Sequence, residues 1–241
     1  MNKDNIFAEY KEKITDFQFD ENVASVFEDM LRRSIPGYDL TLDIVGLFAA
    51  NYVQAGTNCY DLGSSLGAVS KSIRENIRHE GCRIFAVDNS PAMIRRSGTF
   101  LKQSDSRVPI HLICADIQDI KIRNASLVVL NFTLQFILPE HRLTILKRIY
   151  DGLLPGGILL LSEKTAFIKP DEQDFQTRMY YDFKKLHGYS ELEISQKRTA
   201  LEKVLIPDTL ETHCQRLQQA GFKRCYSWFQ AFNFRSVVAI K

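Results

Sequence analysis

Two carboxylates at the ends of apolar runs, and the small residues between them, carry the plainest chemistry of this chain. Asn58-Cys-Tyr-Asp-Leu-Gly-Ser-Ser-Leu-Gly67 reads as a strand, a glycine turn and a helix start, and Cys82-Arg-Ile-Phe-Ala-Val-Asp-Asn89 as a second strand closing on an acid. Gly63, Ser64 and Ser65 have little bulk, so backbone N–H groups and the next helix N-terminus can approach a ligand closely. Asp88, with Asn89 beside it, can accept both hydroxyls of a ribose. That is the chemistry of holding an adenosine. One strand along, Ala115-Asp116-Ile117 offers a carboxylate for the adenine amino group, and Ile117 can pack on the ring.

The spelling of the turn narrows the ligand. A dinucleotide fingerprint requires G-x-G-x-x-G, whereas Gly63 is followed by Ser64, Ser65, Leu66 and Gly67 with no middle glycine, so no diphosphate cradle is indicated. With Asp61 two residues before the glycine and Asp88 at the next strand end, the pattern looks like the S-adenosylmethionine-dependent methyltransferase fold, whose ligand carries no phosphate. Asn131 ends the apolar run Leu127-Val-Val-Leu130, where a neutral amide can face the methionine portion or the sulfonium; a strand-ending turn is the competing reading. Tyr38, just after Pro36-Gly37, is either an aromatic covering the site or ordinary core.

These residues need strands and helices to bring them together. Apolar runs near 58–63, 82–88, 109–115, 125–132 and 157–163 alternate with helical segments, which implies parallel strands with crossovers. Their carboxyl ends gather on one edge, where open α/β sheets bind ligands. Residues 20–54 read as two helices, from Val23, Val26, Phe27, Met30 and Leu31 at helical spacing and a break at Ile35-Pro36-Gly37. Residues 1–57 are thus expected as an N-terminal helical cover. Leu153-Leu-Pro-Gly-Gly157 reads as a turn. The rhythm then stops for a charged, helical insertion over 165–207, in which Ser190-Glu-Leu-Glu193 has the capping-box form and starts a helix reaching Val204. A helix around 208–220 and two β-rich runs, 222–230 and 234–240, complete the chain as an edge hairpin. The expected class is therefore α/β and Rossmann-like, a mostly parallel sheet with a C-terminal antiparallel hairpin, in one domain spanning 1–241.

Composition excludes several other functions. The 241 residues are 45% hydrophobic, enough for one sizeable core, and 31 basic against 29 acidic residues are mixed without a basic run, which argues against direct nucleic-acid binding. The first 22 residues offer no signal-peptide core and no later run approaches membrane-spanning length, so a cytoplasmic protein is expected. Five cysteines without a C-x-x-C pair are expected as buried reduced thiols, the first three inside strands. Five scattered histidines lack ligand spacing, and no metal site is expected.

A closer resemblance runs through nearly the whole chain. Asp20-Glu-Asn-Val23, Arg33-Ser-Ile-Pro-Gly-Tyr38, Asn131-Phe-Thr-Leu-Gln-Phe136, Leu161-Ser-Glu-Lys164, Trp228-Phe-Gln230 and above all Gly188-Tyr-Ser-Glu-Leu-Glu-Ile-Ser-Gln-Lys-Arg-Thr-Ala-Leu-Glu202 look like bacterial carboxy-S-adenosylmethionine synthases. The resemblance implies an enzyme that converts S-adenosylmethionine and prephenate to carboxy-S-adenosylmethionine, phenylpyruvate and water. It also implies a homodimer whose product passes to a second enzyme, one that carboxymethylates a wobble uridine of tRNA. The family reads Asp-Leu-Gly-Cys-Ser where this chain has Ser64, so any role of that thiol is absent here. A carboxylated product needs a cation, and a guanidinium can grip a carboxylate bidentately. Helical spacing lets either Lys197 or Arg198 face the protein on an apolar stripe; the family motif selects Arg198. Two other readings remain open: a small-molecule methyltransferase on the same fold, and a non-catalytic S-adenosylmethionine-binding subunit of a tRNA-modifying complex.

Overall fold

The computed structural model describes residues 2–102 and 108–241. Seven strands form one sheet: β1 (Asn58–Leu62), β2 (Arg83–Asp88), β3 (Ile110–Cys114), β4 (Ala125–Asn131), β5 (Leu153–Lys164), β6 (Arg224–Ala231) and β7 (Phe234–Ile240). Their order is β3-β2-β1-β4-β5-β7-β6. The first five run parallel, while β7 pairs antiparallel with both β5 and β6. This is the expected mostly parallel sheet with an antiparallel hairpin at one edge, and the order reverses between β1 and β4, where such sheets open a crevice.

The central strand β4 shows why the chain folds this way. Its residues are buried on both faces, as a parallel strand covered by helices must be. Side chains alternate between two cores. Leu127 and Val129 pack with Val45, Ala49, Val69 and Ile73 from α2 (Tyr38–Tyr52) and α3 (Ala68–Asn76). Val128 and Leu130 pack with Ile145, Leu146, Ile149 and Leu217 from α5 (Pro139–Gly152) and α8 (Leu210–Ala220). The period of two thus divides one apolar run between two helical layers.

Helix α1 (Glu21–Ser34) starts where Asp20 accepts the Val23 N–H, and α4 (Pro91–Leu101) crosses between β2 and β3. The N-terminal cover is helical only from Glu21: residues 2–20 carry no helix and instead run across the top, where the Phe17 N–H donates to the Ala200 carbonyl and the Phe19 carbonyl accepts from Ser90 Oγ. The insertion contains α6 (Pro170–Leu186) and α7 (Glu191–Leu201). The capping box at Ser190 and Glu193 forms as expected, but α7 stops at Leu201, short of Val204.

Three sequence expectations change. The Leu153–Gly157 segment is not a separate turn but the first part of β5, held there by a register shift in which Ala125 pairs with Leu153 and Leu127 with Ile158. A bulge of this kind absorbs Pro155 and the left-handed Gly156 without ending the strand. The cysteines do not share one environment: Cys59 and Cys82 are buried, Cys114 on β3 is exposed, and Cys214 and Cys225 are half-buried. Cys82 also lies just before β2 rather than inside it. No helix among the described residues is long and apolar enough to cross a membrane.

Candidate active site

The carboxyl ends of β2, β1, β4 and β5 open into one cavity of about 1650 Å³, roofed by α1, α6, α7 and the N-terminal segment. All ten residues singled out from the sequence line it: Tyr38, Gly63, Ser64, Ser65, Asp88, Asn89, Asp116, Ile117, Asn131 and Arg198. Single-ligand pockets usually span roughly 300–1,000 Å³. The space therefore exceeds what one small ligand usually fills.

The glycine turn is built for close approach rather than for donating hydrogen bonds. Gly63 N–H and Ser64 N–H both donate to the Val87 carbonyl, and Ser65 N–H donates to Asp88 at 2.9 Å, so these three donors are spent on the protein. For these three amides the expectation that the turn's N–H groups reach a ligand does not hold. Gly63 has φ +82°, and a Cβ there would lie 2.3 Å from Thr133 Oγ1, so only glycine admits the Thr133 contact between the β1 and β4 ends. Asp61 faces away from the cavity: its carboxylate accepts from the Ser70 N–H at 3.0 Å and Ser70 Oγ at 2.6 Å, tying the first turn of α3 to β1. Complete burial pushes its pKa up to about 7.

Asp88 accepts from two backbone amides, Ser65 N–H on one oxygen and Ser90 N–H on the other, each at 2.9 Å. Desolvation raises its pKa, and the two amides partly offset that. Asp116 accepts from the Gln118 N–H at 2.8 Å and caps the 3-10 turn Ile117–Asp119, which presents Ile117 to both the core and the cavity. Asn131 Oδ1 is buried without a protein partner, the mark of an atom that a ligand completes. Ser64 Oγ is likewise buried and unpartnered. Tyr38 packs with Ile35, Tyr180 and Phe234 and also borders the cavity.

Glu163 was not singled out from the sequence. It is buried beneath the cavity and accepts from Leu134 N–H at 2.8 Å and Gln135 N–H at 3.0 Å, which fixes the turn carrying Thr133. Burial pushes its pKa up to about 8. Beyond it lies a cationic wall: Lys164 from the end of β5, Lys184 from α6, and Lys197 and Arg198 from α7 all line the cavity. Lys197 is the α7 cation that turns inward, 3.3 Å from the buried Asp4, which also accepts from the Tyr189 hydroxyl. Arg198 is exposed at the cavity and does not sit on the apolar stripe expected of it. The helix buries Glu193, Ile194, Gln196, Lys197 and Ala200 instead. Lys164 stands at a strand end, as Asp88 does, and that position is the signal that could have found it. The Asp4–Lys197 pair joins residues 193 positions apart and left no such signal. Among the described residues no cluster of acids, histidines and cysteines has the form of a metal site.

Comparison with known proteins narrows the choice. The family described as "Methyltransferase domain" matches residues 60–161. Carboxy-S-adenosyl-L-methionine synthases from Citrifermentans bemidjiense and Geobacter metallireducens are each 56% identical to this chain over 99% of it and 98% of their own length. The chain belongs to the carboxy-S-adenosyl-L-methionine synthase family. The one from Shewanella sediminis is 54% identical over the same shares. Solved structures agree on the fold alone. Human N-acetylserotonin methyltransferase, solved with S-adenosylmethionine, superposes with a TM-score of 0.60 at 17% identity, covering 92% of this chain and 55% of that one. Magnesium protoporphyrin IX methyltransferase from Synechocystis, with bound S-adenosylhomocysteine, gives 0.60 at 14% identity over 88% and 87%.

Proposed function

We propose that the chain carboxylates the methyl group of S-adenosylmethionine, with prephenate as the source of carbon dioxide. The observation that carries the reading is the row of strand ends: Asp116, Asp88, Gly63 and Asn131 in sequence across the sheet, then Lys164, Lys184 and Arg198, around space for two ligands. Asp116 takes the adenine amino group with Ile117 on the ring, Asp88 and Asn89 take the ribose, and Ser64 and Ser65 border the nucleoside. Gly63 lets the chain of the ligand pass, Asn131 faces the methionine, and Tyr38 closes over it.

The chemistry balances without a protein acid–base pair. Prephenate loses its ring carboxylate as carbon dioxide and its ring hydroxyl as hydroxide, and aromatisation to phenylpyruvate drives both departures. Hydroxide removes a proton from the sulfonium methyl, giving water and an ylide, and the ylide carbon bonds to carbon dioxide. The protein's share is to hold the two substrates together and keep water away until that bond forms. Arg198, which makes no hydrogen bond or ion pair among the described residues, is the cation for the new carboxylate.

The product then serves a tRNA carboxymethyltransferase. The chain itself has no basic run for the nucleic acid, and the cytoplasm is the setting that fits this supply. A homodimer is supported by the exposed apolar side chains Ile168, Phe175 and Leu186, which line the insertion at 73%, 49% and 82% exposure. Incubating purified protein with S-adenosylmethionine, with and without prephenate, tests the reading by mass spectrometry. A product heavier by one carbon dioxide should form only with prephenate. S-adenosylhomocysteine and a methylated acceptor, with no carboxylated product, would replace the reading with a small-molecule methyltransferase; ligand binding without turnover would replace it with a non-catalytic subunit.

A further inference from the structure

The cationic wall holds more charge than the protein neutralises. Arg33 pairs with Asp29 at 3.2 Å and Lys197 with Asp4 at 3.3 Å, which leaves no carboxylate within ion-pair distance of Lys164 or Lys184 among the described residues. Both ammonium groups rest instead on the Tyr180 ring, at 5.0 and 4.9 Å from its centre. Lys184 is only 4% exposed and Lys164 is half-buried, yet neither makes a side-chain hydrogen bond among the described residues. Lys184 also feels the like charges of Lys164 and Lys197, against the single opposing charge of Asp4. A buried ammonium on an aromatic face, repelled by its neighbours and without an anion, is costly in the free protein. Such an arrangement favours an anion delivered from outside.

Position identifies the anion. Neighbouring strands lie about 4.8 Å apart, so the β5 end that carries Lys164 is about 10 Å from Gly63 at the β1 end. Asn131, at the end of β4, stands between them, because Asn131 pairs with Ser162, two residues before Lys164. A ligand whose ribose sits at Asp88 reaches Asn131 with its methionine portion, and the lysines begin where that portion ends. Resting on the function proposed above, we propose that Lys164 and Lys184 form a dianion subsite that seats the two carboxylates of prephenate against the sulfonium end of the first ligand.

Burial holds the Lys164 pKa down at about 8 and the Lys184 value well below its usual range, so an incoming dianion also restores their charge. The groups facing the two lysines are Asp4, Lys197, Tyr180, Tyr181 and Tyr189, and Asp4 is already held by Lys197 and Tyr189.

Direct binding tests the subsite without turnover, so its failure is distinct from failure of the carboxylation reading. Prephenate, with two carboxylates, and phenylpyruvate, with one, are titrated calorimetrically into protein saturated with S-adenosylhomocysteine. Wild type should prefer prephenate. Lys164→Met and Lys184→Met should each weaken prephenate about ten- to a hundredfold, the loss expected for a charged hydrogen bond. The double variant should bind the two acids alike. S-adenosylhomocysteine affinity should hold in every variant, and ligand-free Lys184→Met should melt no lower than wild type, because it removes a buried amine whose charged form burial already disfavours. Four results would each overturn the subsite: no prephenate binding by wild type, unchanged prephenate affinity in the variants, a lowered melting temperature for Lys184→Met, or a parallel loss of S-adenosylhomocysteine. The last would reassign the lysines to the methionine carboxylate.

Discussion

Replacing Asp88 with alanine should separate ligand binding from folding, and the structure sets both magnitudes. A carboxylate offers about four acceptor positions. Two are occupied, one on each oxygen, by the Ser65 and Ser90 amides. One lone pair therefore remains on each oxygen, which is what two adjacent ribose hydroxyls require. A hydrogen bond to a charged group contributes about 1.5–3 kcal/mol, so Asp88→Ala should weaken S-adenosylhomocysteine about ten- to a hundredfold, and more if both hydroxyl contacts count in full. Folding loses the two amide bonds but is relieved of a carboxylate that burial already disfavours. The remainder, about 1–2 kcal/mol, corresponds to a fall in Tm of about 2–8 °C for a domain of this size. Titration calorimetry at a temperature where both proteins are folded, with differential scanning calorimetry beside it, reads the two effects apart. An affinity within twofold of wild type, in a variant that still melts cooperatively, would refute the ribose assignment.

Ser64→Ala and Ser64→Cys should stabilise the ligand-free protein by about 1 kcal/mol, since an unpartnered buried hydroxyl costs about that much or more, and thermal melts would show it. A lower Tm with weaker S-adenosylmethionine binding would mean instead that the hydroxyl donates to the ligand. Arg198→Ala should weaken carboxy-S-adenosylmethionine by about 1–3 kcal/mol while sparing S-adenosylmethionine, with Arg198→Lys rescuing in part, as competition binding would report. Equal losses for both ligands would remove Arg198 from that role. Asp61, whose pKa rises to about 7 on folding, holds its extra proton only in the folded state, so its contribution is complete below pH 4 and is lost as pH rises toward 7. Asp61→Asn keeps an oxygen for both Ser70 bonds, so denaturant titrations should show it more stable than wild type at pH 8 and level with it near pH 4; a constant difference across that range would contradict the shift.

Strand ends were legible because their signals are local. Gly63, Asp88, Asp116 and Asn131 each follow a short, largely apolar run that reads as a parallel strand, and the rule that ligands bind beyond the carboxyl edge then gathers them. The edge hairpin and the Ser190 capping box were legible for the same reason, since turn and cap chemistry operate within a few residues. What was hidden depends on contacts far apart in sequence. Asp4 meets Lys197 and Tyr189, and Glu163 meets the amides of residues 134 and 135, only after the sheet and insertion have folded. Helical spacing also left Lys197 and Arg198 equivalent. It is Asp4, arriving from the N-terminal segment, that turns Lys197 inward and leaves Arg198 at the cavity.

That division bears on how a methyltransferase fold comes to make a carboxylated product. The proposed adenosine half of the site uses backbone-anchored acids at strand ends, positions that the sheet provides whatever the reaction. The cations come from elsewhere: Lys184, Lys197 and Arg198 belong to the insertion, and only Lys164 belongs to the sheet. An insertion can carry unpaired positive charge because the residues that tolerate it, Tyr180 and Tyr189, travel in the same segment and offer aromatic faces where a carboxylate would have cancelled the charge. A neutralised wall would be more stable and would bind no anion. Keeping Asp4 for Lys197 while leaving Lys164 and Lys184 without a carboxylate among the described residues is what the proposed dianion subsite requires.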